Sequence, residues 1–178
     1  MLLTAVRPDQ SLDYAGWRII PHAFVPQSWG LPFNLGVLAE FSFERPVYEE
    51  DTRHLELRLV IEKHIGRLQL DGNPVFADAL TGPETKEGWG FEPSGRIGWQ
   101  LSPHFTPSIE YYSSWGPLQN LSPFHEQVHQ FVPGGDWKID DRLMMNFGAG
   151  FGITGAGKKV FFKTRLEWSL GKAPAGGK

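Results

Sequence analysis

The chain has 178 residues, with 17 Lys or Arg against 20 Asp or Glu and a formal net charge of −3. This length suits one domain, and the even spread of both charges predicts no basic surface for nucleic acid. Cysteine is absent, which excludes disulfides, thiolate metal sites and cysteine nucleophiles. Thirteen Phe, seven Trp and 21 Gly at a mean hydropathy of −0.29 favour turn-rich strands in which apolar and polar residues alternate.

The N-terminal segment, residues 1–30, is treated apart from the rest of the chain. Residues 1–8 have no basic region and too short an apolar run for a secretory signal, so we expect a removed signal or a truncated start. A possible extra strand covers about 17–25, before a turn at Pro26–Gly30. No stretch approaches the roughly 20 apolar residues of a membrane helix, so a membrane-spanning form would have to cross with strands.

From Leu31 onward, apolar and polar residues alternate with period two, which is typical of strands with one apolar face. A tight turn is predicted at Lys63–Gly66. The stretch from about Glu126 to Lys138 is the weakest predicted strand, because Pro133-Gly134-Gly135 suggests a bulge or bend. The clearer segments are 31–44, 54–62, 67–73, 89–101, 105–111, 143–153 and 160–170.

The predicted connections between these segments alternate between longer and shorter, as in outer-membrane barrels. Residues 31–170 then hold eight strands whose two ends lie on the short-turn side, and residues 171–178 form a flexible tail. The predicted fold class is therefore all-β: an antiparallel up-and-down β-barrel of about eight strands (eight to ten), of the transmembrane type.

Strand length and side-chain placement favour a membrane barrel over a soluble one. The segments run about 9 to 13 residues, as a tilted membrane strand needs, and many aromatic residues lie near segment ends. The residues predicted to face the lumen are Glu40, Glu56, Arg58, Glu62, Arg67, Asp71, Glu92, Arg96, Glu110, Lys163, Arg165 and Glu167. Those predicted to face lipid are Leu35, Val37, Phe41, Leu57, Leu59, Phe147, Phe151, Phe162 and Leu166.

Alternation alone also fits a soluble β-barrel or sandwich, since any strand with one buried face shows it. The alternative is a lipocalin-like β-barrel that binds an apolar small molecule. In that case Leu, Phe and Trp would face inward and the charged face would be an ordinary solvated surface.

The segments Leu143–Ile153 and Val160–Leu170 resemble strands of bacterial outer-membrane β-barrels, most closely uncharacterised, transporter- or porin-like small barrels. The second segment is similar to the C-terminal strand signal that such proteins present to the outer-membrane assembly machinery. It departs from that signal by ending in Leu170 and a tail instead of a terminal aromatic residue. The resemblance covers about 140 residues and implies a location in the bacterial outer membrane.

One motif suggests zinc chemistry: His125-Glu126-Gln127-Val128-His129 matches H-E-x-x-H, which on a helix offers two zinc ligands and a general base. Pro123 and Pro133 leave barely two helical turns around it. On a strand, His125 and His129 would lie about 13 Å apart and could not share a metal. We expect a loop-to-strand segment near the barrel rim and keep the zinc hydrolase as a lesser alternative, which requires a helix.

Other catalytic motifs are weak. No G-x-S-x-G elbow is present, and the Gly148–Gly155 stretch lies in an alternating strand without a Walker lysine, so small lumen-facing residues explain it better than a phosphate loop. We therefore expect no enzyme and no cofactor. The expected function is a small pore, a transport component or a structural envelope protein, with the lipid bilayer and small polar solutes as partners.

Overall fold

Thirteen strands make up the regular β structure of residues 2–6 and 11–169, the part of the chain that the computed structural model describes. Their pairings are antiparallel throughout, so the predicted all-β, antiparallel class is confirmed. Short 3-10 turns lie at Gln27–Trp29 and Pro83–Lys86. The strands are β1 (Leu2–Val6), β2 (Leu12–Ile19), β3 (His22–Phe24), β4 (Asn34–Glu44), β5 (Arg53–Ile65), β6 (Leu68–Asn73), β7 (Val75–Ala79), β8 (Gly90–Phe91), β9 (Ser94–Trp99), β10 (Phe105–Ser114), β11 (Val128–Lys138), β12 (Leu143–Gly152) and β13 (Val160–Trp168).

The strands follow one another across the sheet in chain order, as in a meander. The main path is β1-β2-β4-β5-β6-β9-β10-β11-β12-β13, while β3 pairs with β4, β7 with β5, and β8 with β7. Among the described residues, no helix is long and apolar enough to span a membrane.

Three of the strand breaks fall at prolines and leave the pairing register unchanged. Pro21 separates β2 from β3, Pro74 separates β6 from β7, and Pro93 lies between β8 and β9. The residues on both sides of each break keep one register with the neighbouring strand. Proline has no N–H to donate to a ladder, so it interrupts a strand without moving it. The thirteen strands therefore lie along ten continuous lines.

The ten lines are at the upper end of the predicted range of eight to ten strands, but the sheet does not form the predicted closed barrel. Lines three to ten are the eight predicted over residues 31–170, and β1 and the line of β2 and β3 add two at the N-terminal side. β1 has five residues, which are too few for an alternating pattern to identify it as a strand. Within the described residues no pairing joins β1 to β13, so the sheet is not closed. The alternation of apolar and polar residues specifies which face of the sheet each side chain is on. Closure depends instead on whether the two edge strands, β1 and β13, pair with each other.

The connections differ slightly from the predicted ones. β5 continues to Ile65 and meets β6 through a two-residue turn, so the turn predicted at Lys63–Gly66 was placed too early. Gly66 has φ of +60°, the left-handed conformation that such hairpin turns require. We call the end of the sheet that holds this turn the short-turn side. The predicted tail, residues 171–178, lies outside the described residues.

Of the bulge or bend predicted at Pro133-Gly134-Gly135 in β11, the structure excludes the bulge. β11 pairs with β10 in unbroken register through Pro133, Gly134 and Gly135. The ladder to β12 has a gap at Val132 and Pro133, but the register is the same on both sides of it. The small Gly residues allow the strand to bend without an extra residue, so no bulge is needed.

Candidate functional site

Burial on the two faces of the sheet is the reverse of that in a soluble protein. On the face that carries the alternating apolar residues, the apolar face, Phe162 is 84% exposed and Ile109 is 55% exposed. On the opposite, polar face, Glu110 is only 5% exposed. Among the described residues, Val75 and Val132 are the buried hydrophobic side chains, and pairing register places both on the polar face. Soluble proteins bury apolar side chains and rarely bury Glu.

The structure places the predicted lumen-facing and lipid-facing residues on opposite faces of the sheet. On the apolar face, Leu35, Leu59 and Phe147 are half-buried and the others are exposed. Phe147 is covered because it stacks on Phe105, with ring centroids 6.4 Å apart. Arg67 is an exception among the lumen-facing residues, because it is exposed in the turn between β5 and β6 instead of on a strand.

Four predicted lumen-facing residues form one row across neighbouring strands. Glu62 on β5 is opposite Asp71 on β6, which is opposite Arg96 on β9, which is opposite Glu110 on β10. Residues that are directly opposite in antiparallel strands share a face. Arg96 is therefore flanked by Asp71 and Glu110.

Arg96 connects three strands. Its guanidinium donates to Asp71 on β6 at 3.4 Å and to Gln69 on the same strand at 3.2 Å, and it forms a salt bridge with Asp136 on β11. β10 lies between β9 and β11, so the Arg96–Asp136 contact passes over a strand. The sheet must therefore curve towards its polar face.

Glu110 continues this network to the edge strand β13. Its carboxylate accepts hydrogen bonds from Lys163 on β13, from Tyr112 and, at 3.1 Å, from the side-chain amide of Asn146 on β12. The same amide donates to Asp136 at 2.8 Å, which joins the two halves of the network. These connected side chains are called the polar network: Gln69, Asp71, Arg96, Glu110, Tyr112, Asp136, Asn146 and Lys163.

Two glycines let Lys163 reach Glu110. Lys163 is opposite Gly148 on β12, and Gly148 is opposite Gly134 on β11. Neither glycine has a side chain in the path of the lysine. A Cβ on Gly148 would lie 2.6 Å from Cγ1 of Val132, closer than real Cβ atoms approach.

We expect valine at position 148 to destabilise the folded protein by about 1–3 kcal/mol, since the added atoms overpack the space beside Val132. The free energy of unfolding from denaturant titration measures the loss. Gly72→Val is the matched control, because a Cβ at Gly72 meets nothing within 4 Å. Equal stability of the two variants would contradict the crowding at Gly148.

A cavity of about 370 Å³ lies on the polar face beside the polar network. Side chains that line it come from both sides of the curved sheet, including Arg58 on β5 and Arg165 on β13. Asn146 lines it and is 3% exposed, and its carbonyl Oδ1 has no hydrogen-bond partner. Ser108, in the same row as Gly134, is 7% exposed and its hydroxyl also has none.

A second cavity, of about 250 Å³, lies at the end of the sheet away from the short-turn side. The charged groups that line it are acidic: Asp78, Glu84, Glu87 and Glu92, with His54 beside them. Partial desolvation raises the pKa of Glu84, and the nearby carboxylates, Asp51 first among them, raise that pKa further.

The H-E-x-x-H segment does not form the helix that a zinc hydrolase requires. His125 is exposed in a turn, whereas His129 is buried in β11. The ring of His129 pairs with the Tyr111 hydroxyl at 2.6 Å and with Oε1 of Gln127 at 2.9 Å, so both its nitrogens are engaged. No group of three or more His, Cys, Asp or Glu residues that could hold a metal occurs in residues 2–6 and 11–169.

Sequence reasoning missed Tyr112, Asp136 and Asn146 of the polar network, and Ser108 beside it. Alternation assigns them to the polar face, but only the curvature of the sheet brings β9, β11 and β13 together. Comparison of the chain with protein-family models, curated proteins and solved structures gave no match.

Proposed function

We propose that this sheet is the wall of a bacterial outer-membrane β-barrel that acts as a small pore for polar solutes and carries out no catalysis. The apolar face would contact lipid, and the polar face would line the lumen. The observation that carries the proposal is the reversal of burial, with Phe162 and Ile109 exposed and Glu110 buried. In a bilayer, outward-facing apolar residues are the favourable arrangement.

The topology supports a barrel. The sheet has ten continuous lines in chain order. Because ten is an even number, β1 and β13 run in opposite directions, as closure of an antiparallel barrel requires. Contacts on the polar face are also displaced along the strands. Arg18 is opposite Ser42 but pairs with Glu40, and Lys163 is in the row of Ser108 but pairs with Glu110. Both displacements run in the same direction, as tilted barrel strands produce.

Strand length and aromatic placement agree with a bilayer. β10 and β12 have 10 residues and β11 has 11, and a tilted membrane strand needs about 9–11. On the short-turn side, Trp99, Trp137 and Trp168 are exposed on the apolar face at or near the ends of their strands. Aromatic girdles of outer-membrane barrels occupy this position. The C-terminal strand β13 is the expected contact for the assembly machinery.

A pore is favoured over a fully plugged barrel by strand number. Side chains fill the interior of an eight-stranded barrel, whereas ten lines enclose a wider one. The cavity of about 370 Å³ lies inside the proposed lumen, and charged side chains of both signs line it. Such a lining interacts with small polar solutes as they pass.

The soluble, lipocalin-like alternative expects apolar side chains inside and charged ones outside. The buried Glu110 and the exposed Phe162 speak against that arrangement. A soluble, folded monomer in plain buffer would favour this alternative over the membrane barrel.

Single-cysteine labelling tests which face meets lipid, and the absence of native cysteine makes every label unambiguous. In vesicles, we expect a water-soluble maleimide to label cysteines at Arg165 and Glu167 on the polar face of β13. Cysteines at Phe162 and Leu166 on the apolar face should resist it and react with a lipid-soluble reagent. Fast aqueous labelling of both sets would contradict the proposed membrane placement.

A further inference from the structure

We propose that the two edges of the sheet pair with each other within one chain, β1 against β13, and that Thr4 then lies opposite Phe162. The inference rests on the proposed function, since it names the partner that the edge strand of the barrel wall takes. Three features support this pairing: the free backbone edge of β13, the curvature of the sheet, and the match between the faces of the two edge strands.

The outer edge of β13 needs a partner in a bilayer. Within the described part of the chain, β13 pairs only with β12, and all nine of its residues do so in unbroken register. About half of its N–H and C=O groups therefore point away from the sheet. β13 has no proline and no bulge, two features that commonly protect an edge strand. Lipid offers these backbone groups no hydrogen bonds, so a neighbouring strand is required.

The curvature of the sheet brings β13 round towards the N-terminal strands. Arg58 on β5 and Arg165 on β13 line the same cavity of about 370 Å³, although five strands of the main path lie between these two. The salt bridge between Lys163 and Glu110 passes over β11 and β12. A sheet that bends this tightly turns its last strand back towards its first.

The tight curvature favours closure within one chain over closure with a second copy. A barrel made of two such sheets would have twice as many lines and so about twice the diameter. Its flatter polar face would hold Lys163 and Glu110 further apart than the observed salt bridge allows. The contacts of the polar network therefore fit the narrower, single-chain barrel.

The faces of β1 match those of β13 when the ends of the two strands are level. Leu3 is half-buried on the polar face, whereas Thr4 is exposed on the apolar face. Directly opposite residues share a face, so Thr4 opposite Phe162 puts the side chains of both strands on matching sides of the wall. This register also pairs all five residues of β1, because Val6 then lies opposite Val160, the first residue of β13.

Disulfide formation between introduced cysteines tests this pairing, because the chain has no cysteine of its own. Thr4→Cys combined with Phe162→Cys is folded in detergent micelles and oxidised with copper phenanthroline. We expect an intrachain disulfide as the main product, seen as a faster monomer band on a denaturing gel that reduction returns to its normal position. Directly opposite residues have Cβ atoms about 4.5–5.5 Å apart, close to the distance in a disulfide.

Thr4→Cys with Leu166→Cys is the matched control, since Leu166 is on the same face of β13 but further along the strand than Phe162. This pair should form no disulfide. Leu2→Cys with Thr164→Cys, the next pair on the same face in the proposed register, provides the test if the first variant does not fold. A disulfide from Thr4→Cys with Thr164→Cys in place of the first pair would overturn the register.

A disulfide-linked dimer as the main product would overturn closure within one chain, and so would the absence of any disulfide in the folded variants. KCl conductance of the same samples across bilayers distinguishes this failure from failure of the pore. Conduction without an intrachain disulfide would overturn the pairing and keep the pore. An intrachain disulfide in a protein that does not conduct would keep the pairing and overturn the pore.

Discussion

Arginine in place of Ile109 is expected to destabilise the bilayer-inserted protein by about 2–4 kcal/mol. Ile109 is at the middle of β10, on the apolar face, with 55% of its surface exposed. In a membrane this position faces the hydrocarbon, where arginine costs about that much. In a soluble protein the same exposed position would tolerate the change within about 0.5 kcal/mol. Denaturant unfolding of the vesicle-refolded protein, followed by tryptophan fluorescence, gives the difference.

Leu101→Arg is the matched control for this prediction. Leu101 is an exposed apolar residue in the short connection between β9 and β10, where the proposed membrane ends. Near the interface, arginine costs about 0–1 kcal/mol. If the variants at Ile109 and Leu101 lose the same small free energy, the apolar face is not in lipid.

Methionine in place of Lys163 is the second large effect, with an expected loss of about 3 kcal/mol. The ammonium of Lys163 is the cation that pairs with the buried carboxylate of Glu110. Without it, that carboxylate keeps only the hydrogen bonds from Tyr112 and Asn146. A buried charge that loses its counter-ion costs far more than a surface pair contributes. The same variant should raise conductance, because Lys163 crosses the polar face towards β10.

A double-mutant cycle identifies the cause of this loss. Lys163→Met combined with Glu110→Gln removes both charges, and we expect it to recover at least half of the free energy that Lys163→Met loses. Arg165→Met is the control, since Arg165 is exposed and pairs with the exposed Glu167. Losses that simply add in the double variant would show that Lys163 and Glu110 do not interact.

Alternation was sufficient to separate the two faces of the sheet. Phe162 and Lys163 are neighbours in the sequence, and the period of two places them on opposite faces, as the structure has them. The same pattern located most strands, because each of them is long enough to show several alternations. β1 is too short for this, and β7, which continues the line of β6 beyond Pro74, lies outside the predicted segment 67–73.

The polar network could not be predicted, because its contacts depend on curvature and register between distant strands. Arg96 and Asp136 are 40 residues apart, and Glu110 and Lys163 are 53 apart. Alternation places all four on one face but does not indicate which of them meet. The small residues Gly134 and Gly148 were recognisable as gaps, yet their role becomes visible only with Lys163 above them.

The H-E-x-x-H segment illustrates how a motif depends on its secondary structure. The five residues are present, but His125 is in a turn and His129 is on a strand, so the helical spacing that brings two histidines together is missing. Burial of His129 is explained by its partners Tyr111 and Gln127.

The most direct test of the membrane proposal is refolding of the chain with and without detergent micelles. Circular dichroism and the mobility of unboiled and boiled samples on a gel are compared for both conditions. We expect a β-structured species whose mobility changes on boiling, and only in the presence of detergent. A stable, soluble monomer in plain buffer would contradict the account and place the apolar face in water.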